Sequence, residues 1–407
     1  MAPDLRGQPV TLTANIRKLY AFSFLKMALF PMAIITLFWK DHIGLSLSEI
    51  LLLQAIFSLA TLLMEYPSGY LSDRLGYRLT LSLASLLGIA GWSWYTVAGS
   101  FAGVLGAEIL LGISYAFISG ADSALLFETL KADGQEEHYA RIDGRMTGWA
   151  QFGEAAGALF AGTLYAFAPL TPFFLQIAVW ALAFLLSRTL REPPHLRQGA
   201  PAAGLSEAIQ ISRHALLENR RLRYGIALAA LLGLASFIPV WLIQPTMQLA
   251  GVPLAWFGPV WAGANLTVAL FSLLSHRLSF HLGDRGMIVL CVGLVIAGYV
   301  GLGLVESVWG FVFYYLLTAM RGLQGPLLRH HLQRESRPGT RASILSLKSL
   351  VFRLLFVGSS PLVGHLADSQ GLGTTFLLLA AAFALLLLPF SILFVHSQTT
   401  APDAVKD

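Results

Sequence analysis

Eight polar or charged residues lie inside stretches that are otherwise apolar: Lys26, Glu108, Tyr115, Asp122, Gln151, Glu154, Arg321 and Arg353. Acids in such surroundings can take up and release a proton, because desolvation favours the neutral form of a carboxyl. Bases there can attract an anionic group or neutralise a nearby acid. Covalent chemistry is not suggested, since the chain contains neither Gly-x-Ser-x-Gly nor His-Glu-x-x-His, and no Gly-x-x-x-x-Gly-Lys phosphate loop. His330 and His331 have no partners at metal-ligand spacing. No catalytic residue, metal site or cofactor is therefore expected.

The spacing of these residues is helical. Glu108, Tyr115 and Asp122 are seven apart with Gly112 and Ser119 between them, which puts them on one face at about 100° per residue. Thr147, Gln151, Glu154 and Tyr165 cluster in the same way, as do Ser346, Ser349, Arg353 and Ser360. Such faces line a water-filled path, or they pair with one another to hold helices together. Counting about 1.5 Å per residue places Lys26, Glu154 and Arg353 near the bilayer centre. Arg321 and Asp122 fall nearer one surface and Glu108 nearer the other.

The elements that must position these groups are membrane helices. With 56% apolar and only 12% charged residues, the chain has more apolar side chains than a water-soluble core can hide. A bilayer crossing needs about 20 apolar residues, and about a dozen such runs occur between short polar turns. The expected class is an all-α integral membrane protein. The single cysteine, Cys291, lies in one of these runs and reads as a small buried residue. Met1 to Lys18 is polar and lacks a cleavable leader pattern. The expected crossings are 19–39, 47–70, 78–98, 101–127, 142–168 and 172–190, then six more beginning near Tyr224, Ala255, Met287, Val308, Ala342 and Thr374.

The longest polar stretch, 191–223, carries Pro193-Pro194 and an Arg-rich end, and reads as a linker between halves 1–190 and 224–407. Its basic residues suit anchoring beside anionic lipid rather than nucleic-acid binding. With the N-terminus in the cytoplasm, about 22 of the 27 Lys and Arg residues fall in cytoplasmic segments and only Lys40 falls outside. A multi-pass cell-membrane protein with both termini cytoplasmic is expected. Trp39, Trp256 and Trp309 fall at helix ends and suit an interfacial belt.

Between the second and third runs lies Gly69-x-x-x-Asp73-Arg74-x-Gly76-Tyr77-Arg78. Part of it recurs: Leu-Ser-x-x-Leu-Gly-x-Arg, read from Leu71, returns at Leu278, Ser279, Leu282, Gly283 and Arg285, again between two apolar runs. The first copy resembles the loop signature between helices 2 and 3 of major facilitator superfamily transporters, with Tyr77 in place of a basic residue. The resemblance extends from about Ile16 to about Val395 and implies twelve transmembrane helices in two six-helix pseudo-symmetric bundles. It further implies that helices 1, 4, 7 and 10, with the inner faces of 2, 5, 8 and 11, surround a central cavity. By the same resemblance Asp73 sets against the start of helix 11 near Ala342, Arg74 or Arg78 contacts Glu128, and the group forms a gating latch.

The resemblance implies a secondary active transporter working by alternating access. Proton-coupled export of a small amphipathic metabolite, drug or siderophore-like molecule is the favoured expectation, and proton-coupled uptake by symport is the alternative. The family's frequent helix 4 arginine is absent, since Glu108 occupies its place. The glycine-rich stretch of antiporters is partial: Gly148, Gly153, Gly157 and Gly162 occur without a following proline. A non-transporting sensor or scaffold is the rival class, but it needs a sizeable soluble domain that the short loops lack. The expected partners are the small solute, protons and the bilayer, with no nucleic acid and the chain as a monomer. Glu154 is the expected coupling carboxylate, and Lys26, Arg321 and Arg353 the groups that attract an anionic substrate.

Overall fold

The fold was taken from a computed structural model, which describes residues 9–193, 205–336 and 340–399. Fourteen α-helices occur among the described residues, and no strand. They are α1 (Pro9–Met27), α2 (Ile35–Leu37), α3 (Leu47–Leu75), α4 (Tyr77–Tyr95), α5 (Phe101–Ala132), α6 (Tyr139–Leu159), α7 (Ala161–Phe167), α8 (Thr171–Arg188), α9 (Leu205–Arg213), α10 (Arg220–Leu249), α11 (Phe257–Leu304), α12 (Val312–Glu335), α13 (Arg341–Gln370) and α14 (Leu372–Thr399). Helices follow from the solvent, because a bilayer offers no partners for backbone N–H and C=O groups and an α-helix satisfies them internally.

Among the described residues, seven stretches are long and apolar enough to cross a membrane on length and composition alone, including Phe101–Ala132, Arg220–Leu249 and Leu372–Gln398. Most of the remaining crossings are interrupted or more polar. Helix α11 supplies two, joined at Gly283, whose φ of 64° reverses the chain. Gly76, its counterpart in the earlier copy of the repeated loop, has φ of 87° and separates α3 from α4. Both glycines adopt the left-handed region that other residues avoid. The repeat read from the sequence thus has a common conformational purpose at the two turns.

The chain divides into two compact units. One comprises Met1–Leu45, Ile56–Ala200 and Leu254–Ala262. In it α4 packs against α5 and α8, and α1 against α6. Phe38, Trp39, Trp92 and Phe173 close around Tyr95 in an aromatic cluster, with centroids 4.3 Å apart for Phe38 and Phe173. Trp39 is fully buried there and does not belong to an interfacial belt, whereas Trp256 and Trp309 are exposed.

The other unit comprises Ser46–Ala55, Pro201–Pro253 and Gly263–Asp407. It is built around the largely buried α10, which contacts α12, α13 and α14. Phe237 meets Phe352 and Phe356 edge-on at 5.5 and 4.8 Å. The polar stretch read as the linker between halves contains α9 and a further turn at His214–Glu218, and Ala215 joins Leu222, Ile226, Leu332 and Ile344 in a buried apolar cluster. A short amphipathic segment flanked by Pro and Arg residues is masked in a hydropathy reading by its polar half.

Candidate functional site

Helix α1 ends in the middle of what the sequence suggests is a continuous crossing. The chain turns from Ala28 to Ile34 around Pro31, and helix resumes at α2. Proline removes a backbone donor and clashes with the preceding turn, which accounts for a break at this point. The side chain of Gln176 on α8 accepts a bond from Phe30 N–H at 2.8 Å, satisfying one backbone group that the break frees. Helix α6 lies against the break at Gly153 and Gly157. A Cβ at Gly153 would lie 2.3 Å from the Phe24 carbonyl oxygen, and one at Gly157 would lie 2.7 Å from the Ala28 carbonyl carbon. The glycine-rich character of this crossing therefore serves close backbone approach to α1.

The last two residues of α1 carry the chemistry. The Lys26 ammonium donates to the Asp122 carboxylate, forming an ion pair, and Tyr115 Oη donates to Met27 Sδ at 3.3 Å. A cation at a helix C-terminus is favoured by the exposed carbonyls there. Asp122 also accepts from Ser123 N–H at 2.7 Å. Tyr115 and Asp122 thus both face α1. Glu108 does not: it accepts from Tyr95 on α4, and both groups are buried. Helix α5 departs from helical geometry at Ser119, where ψ is 28°. The polar stripe expected from regular spacing is therefore divided between two neighbouring helices.

On α6, Thr147 and Gln151 are exposed and stand four residues apart on one face, with Glu154 one turn further. Glu154 accepts from Trp261 Nε1 on α11 at 3.3 Å. No ion pair reaches Glu154 among the described residues. Beside it, Phe24, Trp149 and Phe152 form an aromatic group with centroids 5.9 to 6.5 Å apart. An aromatic surface interrupted by amide and hydroxyl groups suits an amphipathic solute, which needs apolar contact and a few placed polar groups.

In the other unit, Arg321 lies near the middle of α12 and is exposed, and Arg353 lies about 18 Å along α13 from its start. Neither makes an ion pair among the described residues. Arginine cannot shed its charge in a protein, so each presents a fixed positive group.

The loop signature is only partly visible. The side chains of Asp73 and of Ala342, its expected contact, lie outside the described residues. Arg74 stacks over the Tyr70 ring at 4.6 Å, and among the described residues neither Arg74 nor Arg78 forms an ion pair with Glu128. Gly69 has open space beside it. A further contact at this turn comes from a residue far along the chain. The Glu192 carboxylate accepts from the Tyr77 and Arg78 backbone N–H groups, the latter at 3.1 Å, and caps α4. A Cβ on Gly76 would come within 2.7 Å of that carboxylate.

Asp368 on α13 plays the corresponding role for α3. It accepts from Leu47 N–H at 2.9 Å and Ser48 N–H at 2.8 Å, and also from the Ser48 hydroxyl. An acid at the N-terminus of a helix is stabilised by the unpaired donors there. Glu192 and Asp368 both act on distant parts of the chain, a relationship that spacing within one helix does not encode. Gln176 and Trp261 are likewise recognisable only once their helices are placed.

Comparison with known proteins agrees with this architecture. The chain is 22% identical over 375 residues to the uncharacterized MFS-type transporter YxaM of Bacillus subtilis (strain 168), covering 89% of this chain and 91% of YxaM. Its fold is similar to the crystal structure of the nucleoside transporter NupG, with a TM-score of 0.79 at 13% identity, over 93% of this chain and 99% of that one. It is also similar to a POT family transporter crystallised with 5-aminolevulinic acid, with a TM-score of 0.74 at 14% identity, over 97% and 98%. The sequence profile described as Major Facilitator Superfamily matches residues 19–355. With this match along most of its length, on a fold of apolar helices with the repeated glycine turn, the chain belongs to the Major Facilitator Superfamily of multi-pass membrane transporters.

Proposed function

We propose that this transporter couples proton movement to export of a small amphipathic organic molecule, with Glu154 as the coupling carboxylate. The observation that carries this reading is the difference among three intramembrane acids. Asp122 is neutralised by Lys26 and Glu108 is held by Tyr95, whereas Glu154 accepts from the neutral indole of Trp261. A charged carboxylate at membrane depth is costly, and no cation among the described residues offsets that cost at Glu154. Such a group is suited to load and release a proton as its surroundings change.

Arg321 and Arg353 supply the positive charge that attracts an anionic part of the solute, while Lys26 is occupied by Asp122. Asp73, Arg74, Arg78 and Glu128 act in gating. The protein works in the cell membrane as a monomer with both termini in the cytoplasm, in keeping with the distribution of Lys and Arg.

Cells with and without the protein are compared for accumulation of a panel of amphipathic metabolites and drugs. A hit is then tested in proteoliposomes under an imposed pH gradient. Export predicts lower accumulation in cells that contain the protein and movement against the proton gradient in vesicles. Higher accumulation would assign proton-coupled uptake instead. Indifference of the flux to the pH gradient would remove proton coupling.

A further inference from the structure

The second half of α11 and the last turns of α14 enclose a groove of about 620 Å³. Its floor is apolar, formed by Ile288, Val292 and Ile296 on α11 and by Leu388 on α14. These residues recur at helical spacing with Val289 and Ile392, both of them largely exposed, so this face has no protein neighbour among the described residues of the unit. In a membrane-crossing helix pair, the medium beside such a face is lipid.

One end of the groove has different chemistry. Arg285 and His396 stand together at its rim, both exposed. Asp284, the acid next to Arg285 in sequence, lines a separate pocket with His276, His330 and Arg334. Ser391 also lines the groove, and its hydroxyl is buried without a hydrogen-bond partner among the described residues. Five residues separate Ser391 from His396, placing the hydroxyl about 7.5 Å deeper along the helix. A buried hydroxyl normally finds an acceptor or donor, so this one points to a polar group of the occupant at that depth.

We propose that the groove is a binding site for one anionic phospholipid from the leaflet on the side of the α14 C-terminus. The phosphate lies against Arg285 and His396, an ester carbonyl accepts from Ser391 Oγ, and an acyl chain runs along Ile288, Val292, Ile296 and Leu388. Basic residues at the rim of an apolar cleft between transmembrane helices are the usual chemistry for recognising an anionic headgroup. Arginine is well suited to it, since its planar donors match phosphate oxygens. Arg285 belongs to the second copy of the repeated loop, and this site gives that copy a role that gating does not account for. The proposal is independent of transport direction and proton coupling.

Intact-protein mass spectrometry of the purified full chain tests it, with added phosphatidylglycerol and phosphatidylcholine of matched chains. Phosphatidylglycerol should be retained about tenfold over phosphatidylcholine, a difference worth about 1.4 kcal/mol. The variant R285Q/H396Q should reduce phosphatidylglycerol to the level of phosphatidylcholine. Gly293 borders the groove and a Cβ there meets nothing within 4 Å, so Gly293→Leu should fill the cleft without disturbing the fold and lower retention of both lipids. Excess inorganic phosphate should leave the lipid bound. Equal retention of the two lipids by the parent protein would overturn the proposal, as would unchanged selectivity in R285Q/H396Q. Full displacement by phosphate would show that the groove contributes nothing. If R285Q/H396Q fails to fold, Gly293→Leu decides alone: undiminished retention of phosphatidylglycerol in that variant contradicts the site.

Discussion

The Lys26 ammonium and the Asp122 carboxylate form an ion pair one residue before the end of α1, where the crossing breaks. Their side chains are 18% and 6% exposed, so each charge depends largely on the other for the solvation it has lost. Removing one partner leaves an unpaired charge in poor solvent, which costs more than the pair itself contributes. Asp122→Asn is therefore expected to destabilise the protein by on the order of 2–3 kcal/mol, below the fully buried range because Lys26 keeps some exposure. The double change Lys26→Met with Asp122→Leu should recover most of that loss. Thermal unfolding of the parent, Lys26→Met, Asp122→Leu and the double variant in one detergent checks it, and additive losses would contradict the pairing.

Gly76 carries two constraints at once, a left-handed backbone and the Glu192 carboxylate where a Cβ would stand. Gly76→Ala should cost about 1–3 kcal/mol from the backbone alone, with a further loss as Glu192 is pushed off the start of α4. A Tm equal to that of the parent protein would contradict this account of the turn.

Asp368 satisfies two donors at the start of α3 through charge-assisted bonds. Asp368→Ala should destabilise the protein by about 1–3 kcal/mol and accelerate amide exchange at Leu47 and Ser48. Exchange at the parent rate would show that solvent or another group replaces the carboxylate without loss.

Arg353 offers a fixed charge on α13 with no ion pair among the described residues. If it binds an anionic part of the solute, Arg353→Gln should weaken substrate affinity by about 1.5–3 kcal/mol, the range for hydrogen bonds to charged groups. Unchanged affinity in the purified variant would assign Arg353 to packing between helices.

The helical class and the repeated loop were legible because both depend on local pattern. Runs of about 20 apolar residues identify crossings, and Gly76 and Gly283 recur with the same neighbours because each must reverse the chain in little space. The groups at the centre of the candidate site were legible as residues, since charges in apolar runs are conspicuous. Their pairing was not. Regular spacing put Glu108, Tyr115 and Asp122 on one face, but the bend at Ser119 and the packing of α4 and α1 send them to different neighbours. Pro31 could be read as a bend, while the non-helical turn depends on Gln176 from a distant helix. The caps from Glu192 and Asp368 depend on where the chain returns, which periodicity does not carry.

Glu154 is the point at which the account of proton coupling is most exposed to test. Glu154→Gln imitates the protonated carboxyl and keeps an acceptor for Trp261 Nε1. Exchange between equal internal and external pools needs the binding site and the conformational cycle but no net proton movement, whereas gradient-driven transport needs both. Both modes are measured in one preparation of proteoliposomes containing the purified Glu154→Gln protein and a substrate from the screen. The account predicts that gradient-driven transport is lost while exchange persists near the parent rate, and retained gradient-driven transport would contradict it.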